Sequence, residues 1–590
     1  MEAIYAACRG RALLFARLAV LVVLLVVWGS LPAPGQDIER YKPKVPPSQE
    51  GEAKLPEEPA PAEGDNRVLV DELRGLVFVD SQEKVVLGPM DVTGLKIDSR
   101  RGLQILHSNA FERIASKYLG EPVSIYRLNQ LARDVILFYR RNDLPVVDVS
   151  IPEQDVTDGV VQIVVTEGRV GRVRVEGARY FNPNVLLRRT SIRPGNRIYE
   201  SWLLEDLRWL NRNPFREVDL ELTPGANFGE TDIVFRVDDR PPVQVYTGYE
   251  DSGTRDTNLE RIFFGANWGN ALWQDHQLSY QYTTSRDFES LRAHSGVYAI
   301  PVGRRDELVF YGGYGDVEGS VPAPFDDLSG KAWQSSFRYN KHLRPRLYGR
   351  TARYDHRLVG GFEFKQTNTD LDFGGISVYD TPADVAQMVF GYHGLKQGPR
   401  GTCAVGADLF ISPGGFSPYN NDVAFQQFRA FADDSYVYGR AYLEVYRDFV
   451  NNLNFMGRIT GQLADSNLLP TEQLGFGGYN SVRGYDMRLV NGDSGYIINL
   501  ELRTDPVSFG LGRKRSDQFQ VLTFCDIGGA MNHTLLPGED SHVDLSSVGF
   551  GMRYAIAPNL AVRFDYGWQL HHYYGDPVTS RPHLAIIVAR

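Results

Sequence analysis

Between Val243 and the C-terminus, 348 residues follow one rule: apolar and polar side chains alternate, and the 3.6-residue stripe of a helix is absent. Val243 and Val245 flank Gln244, and Leu278, Tyr280 and Tyr282 recur at every second position, as do Leu560, Val562 and Phe564. On one stretch Val437, Ala441, Leu443 and Val445 share a face while Tyr438, Tyr442 and Tyr446 occupy the other. Period two marks a strand whose faces meet different surroundings. About 16 such segments can be drawn, each near the ~9–11 residues that a tilted strand needs to cross a bilayer. Tight connections, such as Pro399-Arg400-Gly401 and Pro558-Asn559, alternate with long ones, such as Ser412–Ser435 and Asp465–Asp493. This region also holds 24 of the 31 tyrosines, the enrichment that aromatic girdles at two membrane interfaces require. The expected fold class is a transmembrane β-barrel of about 16 antiparallel strands over residues 241–590. A large soluble β-sandwich would share the alternation but not the loop asymmetry.

The N-terminus agrees with that compartment. Residues 1–35 read as a signal peptide: Arg9, Arg11 and Arg17 are basic, Leu18–Trp28 is apolar, and Ala33-Pro34-Gly35 offers a cleavage point. No later stretch has the ~20 apolar residues of a spanning helix. Residues 36–66 carry Pro43, Pro46, Pro47, Pro56, Pro59 and Pro61 among many charges, and are predicted to be a disordered linker. After the signal only Cys403 and Cys525 remain, too few for a disulfide framework. The net charge of -10 gives no nucleic-acid footprint.

Two small units fill the space between linker and barrel, at 67–167 and 168–240, on one repeated plan. The first reads as a strand at Leu76–Val79, a short helix at Asn109–Leu119 and a longer helix capped by Ser124. Leu128, Leu131, Ala132, Val135 and Phe138 stripe that longer helix, and strands follow at Val146–Ile151 and Val160–Thr166. The second has a strand at Val170–Glu176, a helix opened by Asn182-Pro183, and a helix striped by Leu203, Leu207 and Leu210. Val218/Leu220/Leu222 and Ile233/Phe235/Val237 alternate on its closing strands. Each unit leaves a sheet edge that can accept an extended peptide.

The candidate site lies in the barrel. The run "GFGGYNSVRGYDMRLVNGDSGY", Gly475–Tyr496, sets six glycines around Val482-Arg483-Gly484-Tyr485 in the long loop 465–493, between the eleventh and twelfth strands. On the next strand, within "TFCDIGGA", Asp526 shares a face with Gln518, Gln520, Leu522 and Phe524. A carboxylate facing lipid is costly, so that face belongs to the lumen. Gly528 and Gly529 beside it leave room for a second segment. An arginine fork on an inward-folding loop could compensate the buried acid; two charges solvated in a wet pore is the alternative.

In the order of these parts the chain resembles the two-partner secretion transporters of the ShlB/FhaC/HecB (haemolysin secretion/activation, TpsB) family. The small units are similar to polypeptide-transport-associated (POTRA) domains, and Ile151–Val170 resembles the end of that family's first one. Ser481–Tyr485, "SVRGY", resembles the tip of the family's sixth extracellular loop, and Phe524, Asp526 and Gly528 its barrel-wall Phe-x-Asp-x-Gly motif. The resemblance implies that Arg483 meets Asp526 inside the lumen. Two features depart from the family: only Val68–Leu76 is left for a plug helix, and the chain ends Val588-Ala589-Arg590 without an aromatic residue.

The resemblance implies a protein of the cell outer membrane, with its POTRA domains in the periplasm, that exports an unfolded, β-rich secreted partner through its barrel. An assembly factor that inserts other barrels, from the same superfamily, is the alternative. A barrel enzyme or a plain porin fits less well. No Gly-x-Ser-x-Gly elbow occurs, and His571-His572 lacks further ligands at metal spacing. No catalytic, metal or cofactor site is therefore expected, and the partners expected are the exoprotein and membrane lipid. The sequence names neither that exoprotein nor an oligomeric state.

Overall fold

Hydrocarbon offers no hydrogen bonds, so a membrane-crossing sheet must pair every strand, its first with its last. The computed structural model, which describes residues 42–48, 51–99, 102–254, 258–319, 328–348, 351–373, 376–450, 452–510, 517–573, 576 and 578–590, does this. Its sixteen principal strands begin with β1 (Val243–Glu250), β2 (Arg261–Ala271), β3 (His276–Ser285), β4 (Leu291–Val302) and β5 (Asp306–Gly319). Next come β6 (Leu328–His342), β7 (Ala352–Phe373), β8 (Ile376–Gly398), β9 (Gly401–Pro413), β10 (Ser435–Val450) and β11 (Leu453–Ala464). The last are β12 (Ser494–Thr504), β13 (Asp517–Met531), β14 (His542–Ile556), β15 (Leu560–Gln569) and β16 (Ser580–Ala589). Each pairs antiparallel with the next, and β16 returns to β1. Strand length runs from 8 residues in β1 to 23 in β8. The β7–β8 hairpin thus exceeds the span that hydropathy alone predicts.

The wall is inside-out relative to a soluble core. On β3, Leu278 and Tyr280 are 39% and 46% exposed, whereas their neighbours Ser279 and Gln281 are 5% and 1% exposed. On β10, Val437 faces out and Tyr438 is buried. Polar residues thus line the interior and apolar ones meet lipid. The loop between β9 and β10 carries a short helix, Asp422–Phe428, capped by Asn421. Its Phe425 packs with Tyr436, Tyr438, Leu468 and Leu469.

Ahead of the barrel, the first small unit is built from Gly75–Val79, α1 (Asn109–Ala115), α2 (Ile125–Arg141), Val147–Ser150 and Val160–Glu167. Ser124 caps α2, accepting a bond from the Arg127 amide at 3.2 Å. Leu131, Val135 and Phe138 turn inward from α2, and Phe111 meets Phe78 edge-on with ring centroids 5.2 Å apart. A strand that pattern alone did not reveal, Gly94–Asp98, pairs parallel with Gly75–Val79 at the sheet edge. In the second unit Arg169–Glu176, α3 (Pro183–Arg189), α4 (Glu200–Leu210), Arg216–Pro224 and Glu230–Asp239 repeat the plan. Among the described residues no helix is long and apolar enough to cross a membrane.

Three expectations change. Val68–Leu76 is not a helix: Val70 bridges to Val123 and Leu73 is buried, because pairing with the module outweighs a weak helical pattern. The expected disordered linker is, where described, extended and bonded. Ala53–Lys54 pair parallel with Leu220–Glu221, and the carbonyls of Pro56 and Pro59 accept from Arg140 and Arg133 of α2. Extended proline-rich backbone has no internal hydrogen bonds, so its carbonyls are free for neighbouring cations. Further upstream, Lys44 reaches the inner wall of the barrel: its amide donates to Tyr246 Oη at 2.8 Å, and its carbonyl accepts from Asn267. Finally, Gly529 does not face the loop. It lies beneath Tyr496 and Asp544, while Gly528 alone makes the room. The signal peptide expected at residues 1–35 lies outside the described residues.

Candidate functional site

Period two puts Asn499, Glu501 and Arg503 on the inner face of β12, Phe524 and Asp526 on that of β13, and Arg563 and Asp565 on that of β15. Asn499 is directly opposite Asp526 in the ladder. The long loop folds down into this wall. Arg483 is 2% exposed and Asp526 fully buried. The Arg483 fork donates from Nε to Asp526 Oδ2 at 2.7 Å and from Nη2 to Oδ1 at 2.8 Å, and its own amide adds a bond at 3.1 Å. Nη1 donates to Glu501 at 2.7 Å and reaches Asp565 at 3.4 Å. Beneath the fork lies Phe524, its ring centroid 3.6 Å from the guanidinium carbon, a stacking that only a planar cation makes well.

Burying one arginine against three carboxylates would leave excess negative charge in a buried site. Three further arginines correct this. Arg503 donates to Glu501 at 2.7 Å, Arg563 to Asp565 at 2.7 Å, and Arg553 to both Asp565 oxygens at 2.9 and 3.1 Å. Asn499 gives Asp526 another bond at 2.8 Å. Charge-assisted bonds of this number offset the desolvation that an isolated pair would not.

The other residues of the motif shape the fit. Val482 is buried with Leu474, Phe476, Tyr485 and Val490 in an apolar cluster over β12–β14. A Cβ on Gly528 would sit 3.0 Å from Val482 and 2.8 Å from Phe476, so that glycine is the floor of the cluster. Gly484 has φ +91° and lies against Gly567 of β15, where a Cβ would come within 3.0 Å of backbone. Its amide donates to His583 of β16 and its carbonyl accepts from Gln569. Tyr485 is buried, its hydroxyl within hydrogen-bonding reach of the carbonyls of Ser546 and His571. The structure therefore brings together Val482, Arg483, Gly484, Tyr485, Phe524, Asp526 and Gly528. Sequence reasoning missed Glu501, Asp565, Asn499 and the three outlying arginines. Their signal was the same inward parity that located Asp526. His571 meets the loop through its carbonyl, and no group of three metal-ligating side chains occurs among the described residues.

A closed membrane barrel with a loop tip locked inside its lumen, following small α/β modules, is an architecture suited to an outer-membrane transporter or a barrel-assembly factor. The chain belongs to the haemolysin secretion/activation protein ShlB/FhaC/HecB family, whose model matches residues 229–554. A ShlB-type POTRA domain matches residues 96–168. The protein is thus a two-partner secretion transporter of the outer membrane with its POTRA modules in the periplasm, from a family of transporters rather than enzymes. The heme/hemopexin transporter protein HuxB of Haemophilus influenzae is 21% identical over 483 residues, covering 80% of this chain and 82% of its own. The outer membrane transporter CdiB of Dickeya dadantii is 21% identical over 407 residues, 66% and 68% of the two chains. Among solved structures, CdiB from Escherichia coli superposes with a TM-score of 0.70 at 17% identity, over 91% of this chain and 93% of that one. CdiB from Acinetobacter baumannii gives 0.62 at 16% identity, over 99% and 98%. These structural likenesses concern the fold.

Proposed function

We propose that the POTRA modules capture an unfolded, β-rich exoprotein by adding its backbone as a strand, that the chain then threads through the barrel, and that the Arg483–Asp526 network holds the loop in the pose that permits passage. The observation that carries this reading is the buried network itself. A passive pore gains nothing from four guanidiniums and three carboxylates that fix one loop tip against its wall, whereas a conduit that must accept a chain and stay sealed at rest needs its loop placed reproducibly. Export requires no catalytic group here. The periplasm supplies no ATP, so directionality comes from folding of the partner outside the cell.

The test is secretion by Arg483→Ala. Removing the fork leaves Asp526 buried with Asn499 as its remaining side-chain donor, at a cost of roughly 3–5 kcal/mol to the loop's docked pose. The expected result is a folded, membrane-inserted barrel with secretion of the partner abolished. Normal secretion would refute the mechanism.

A further inference from the structure

The loop is gripped a second time. Glu472, separated from Arg483 by the stretch 473–482, is 1% exposed. Its carboxylate accepts from Lys365 Nζ at 2.9 and 3.2 Å, from Gln387 Nε2 at 2.9 Å and from Tyr438 Oη at 2.8 Å. Its carbonyl accepts from Gln462 Nε2 at 3.0 Å. These donors stand on β7, β8, β10 and β11, and none of those strands contributes to the Arg483 network on β12, β13, β14 and β15. The loop is therefore held by two neighbouring arcs of wall, which meet at the β11–β12 pair.

The second grip borders open space. Thr471 and Glu472 help enclose a lumenal cavity of about 370 Å³, whose other walls include Tyr311, Arg357, Val389 and Tyr442. Arg483 does not line it. We propose that Glu472 is a positioning residue that sets the bore: its ion pair with Lys365 holds the root of the loop against β7, β8 and β10 and so fixes the free cross-section on that side of the lumen. A buried carboxylate stays in place only while its cation does. Without Lys365, Glu472 withdraws to water and takes the Thr471–Glu472 segment with it. The two grips then divide the work, the tip fixing where the loop points and the root fixing how much of the conduit is open.

This inference rests on the export reading for its purpose, but it is tested without the exported partner. Single-channel conductance of the purified full-length protein is measured in planar bilayers, with heat-modifiable electrophoretic mobility as the check on barrel assembly. Lys365→Met and Glu472→Ala are each expected to raise conductance about twofold or more at the same salt. The charge swap Lys365→Glu with Glu472→Lys returns it toward the native value. Native conductance in both single variants, or a swap as open as they are, overturns the proposal. If either single variant fails to assemble, Tyr438→Phe decides, because it removes one bond to Glu472 and keeps the ring. An intermediate rise supports the proposal, and native conductance overturns it. Loss of secretion in Arg483→Ala is a separate readout, so failure of the export reading and failure of this one are told apart.

Discussion

Arg483 uses every side of its guanidinium: two nitrogens grip Asp526, the third reaches Glu501 and Asp565, and the flat face lies on Phe524. The neighbouring Gly484 is as constrained as the arginine, for steric reasons. Its φ of +91° disfavours any L side chain, and the facing Gly567 would place its own Cβ 2.7 Å from the Gly484 amide. Gly484→Ala is expected to cost the docked tip about 1–3 kcal/mol. Limited proteolysis of intact outer membranes should then cleave the 475–496 segment faster, and Gly567→Ala, acting on the same contact from the wall, should do the same. Both partners of the central pair could be located in the sequence, Asp526 by parity and Arg483 by its glycine surroundings. Glu501 and Asp565 could not be singled out, because many charges share the inward parity and only the folded loop shows which of them its tip reaches.

Among the elements, α4 of the second module carries an acid on its buried face. Asp206 accepts from the Ser191 amide at 2.7 Å and from the Ile192 amide at 3.3 Å, which ties the chain after α3 to α4. Burial nevertheless raises its carboxyl to about 6, against an ordinary value of 3.8, with the Ser191 and Ile192 bonds pulling the other way. An acid whose folded value lies above its unfolded one binds its proton more tightly when folded. The module should therefore gain stability as pH falls through 6 toward 4, and hold the charged form at a cost of roughly 3 kcal/mol at neutral pH. In Asp206→Asn the difference in protease resistance of residues 169–239 between pH 7.5 and pH 5 should shrink, measured against the native protein in the same buffers. Helix starts in these modules were legible because caps are local: Ser124 and Asn182 each bond an amide within three residues. Gly94–Asp98 and Ala53–Lys54 were not legible, since each is a strand only by virtue of a partner outside its own segment, Gly75–Val79 for the first and Leu220–Glu221 for the second.

At the scale of the whole molecule, the barrel was legible from alternation and the strand order follows the sequence, but the unequal strength of its ladders was not. β7 and β8 share a register from Arg353↔Gln397 to Phe373↔Ile376, whereas β1 and β16 pair from Ala585↔Glu250 to Ala589↔Tyr246, with backbone bonds one step further at Val245–Arg590 and Asp251–Leu584. Ladder length depends on how far two particular strands run side by side, and no single segment reports that. Around this shortest ladder the loop tip holds both partners, β16 through His583 and β1 through Tyr479, which donates to Glu250 at 3.3 Å. Such a cylinder resembles a cask with one loose stave, and the folded-in tip serves as its clip. Heated in detergent, the cask should come apart at that joint first. The Arg483→Ala protein should still close, but lose its compact electrophoretic form at a lower temperature than the native chain.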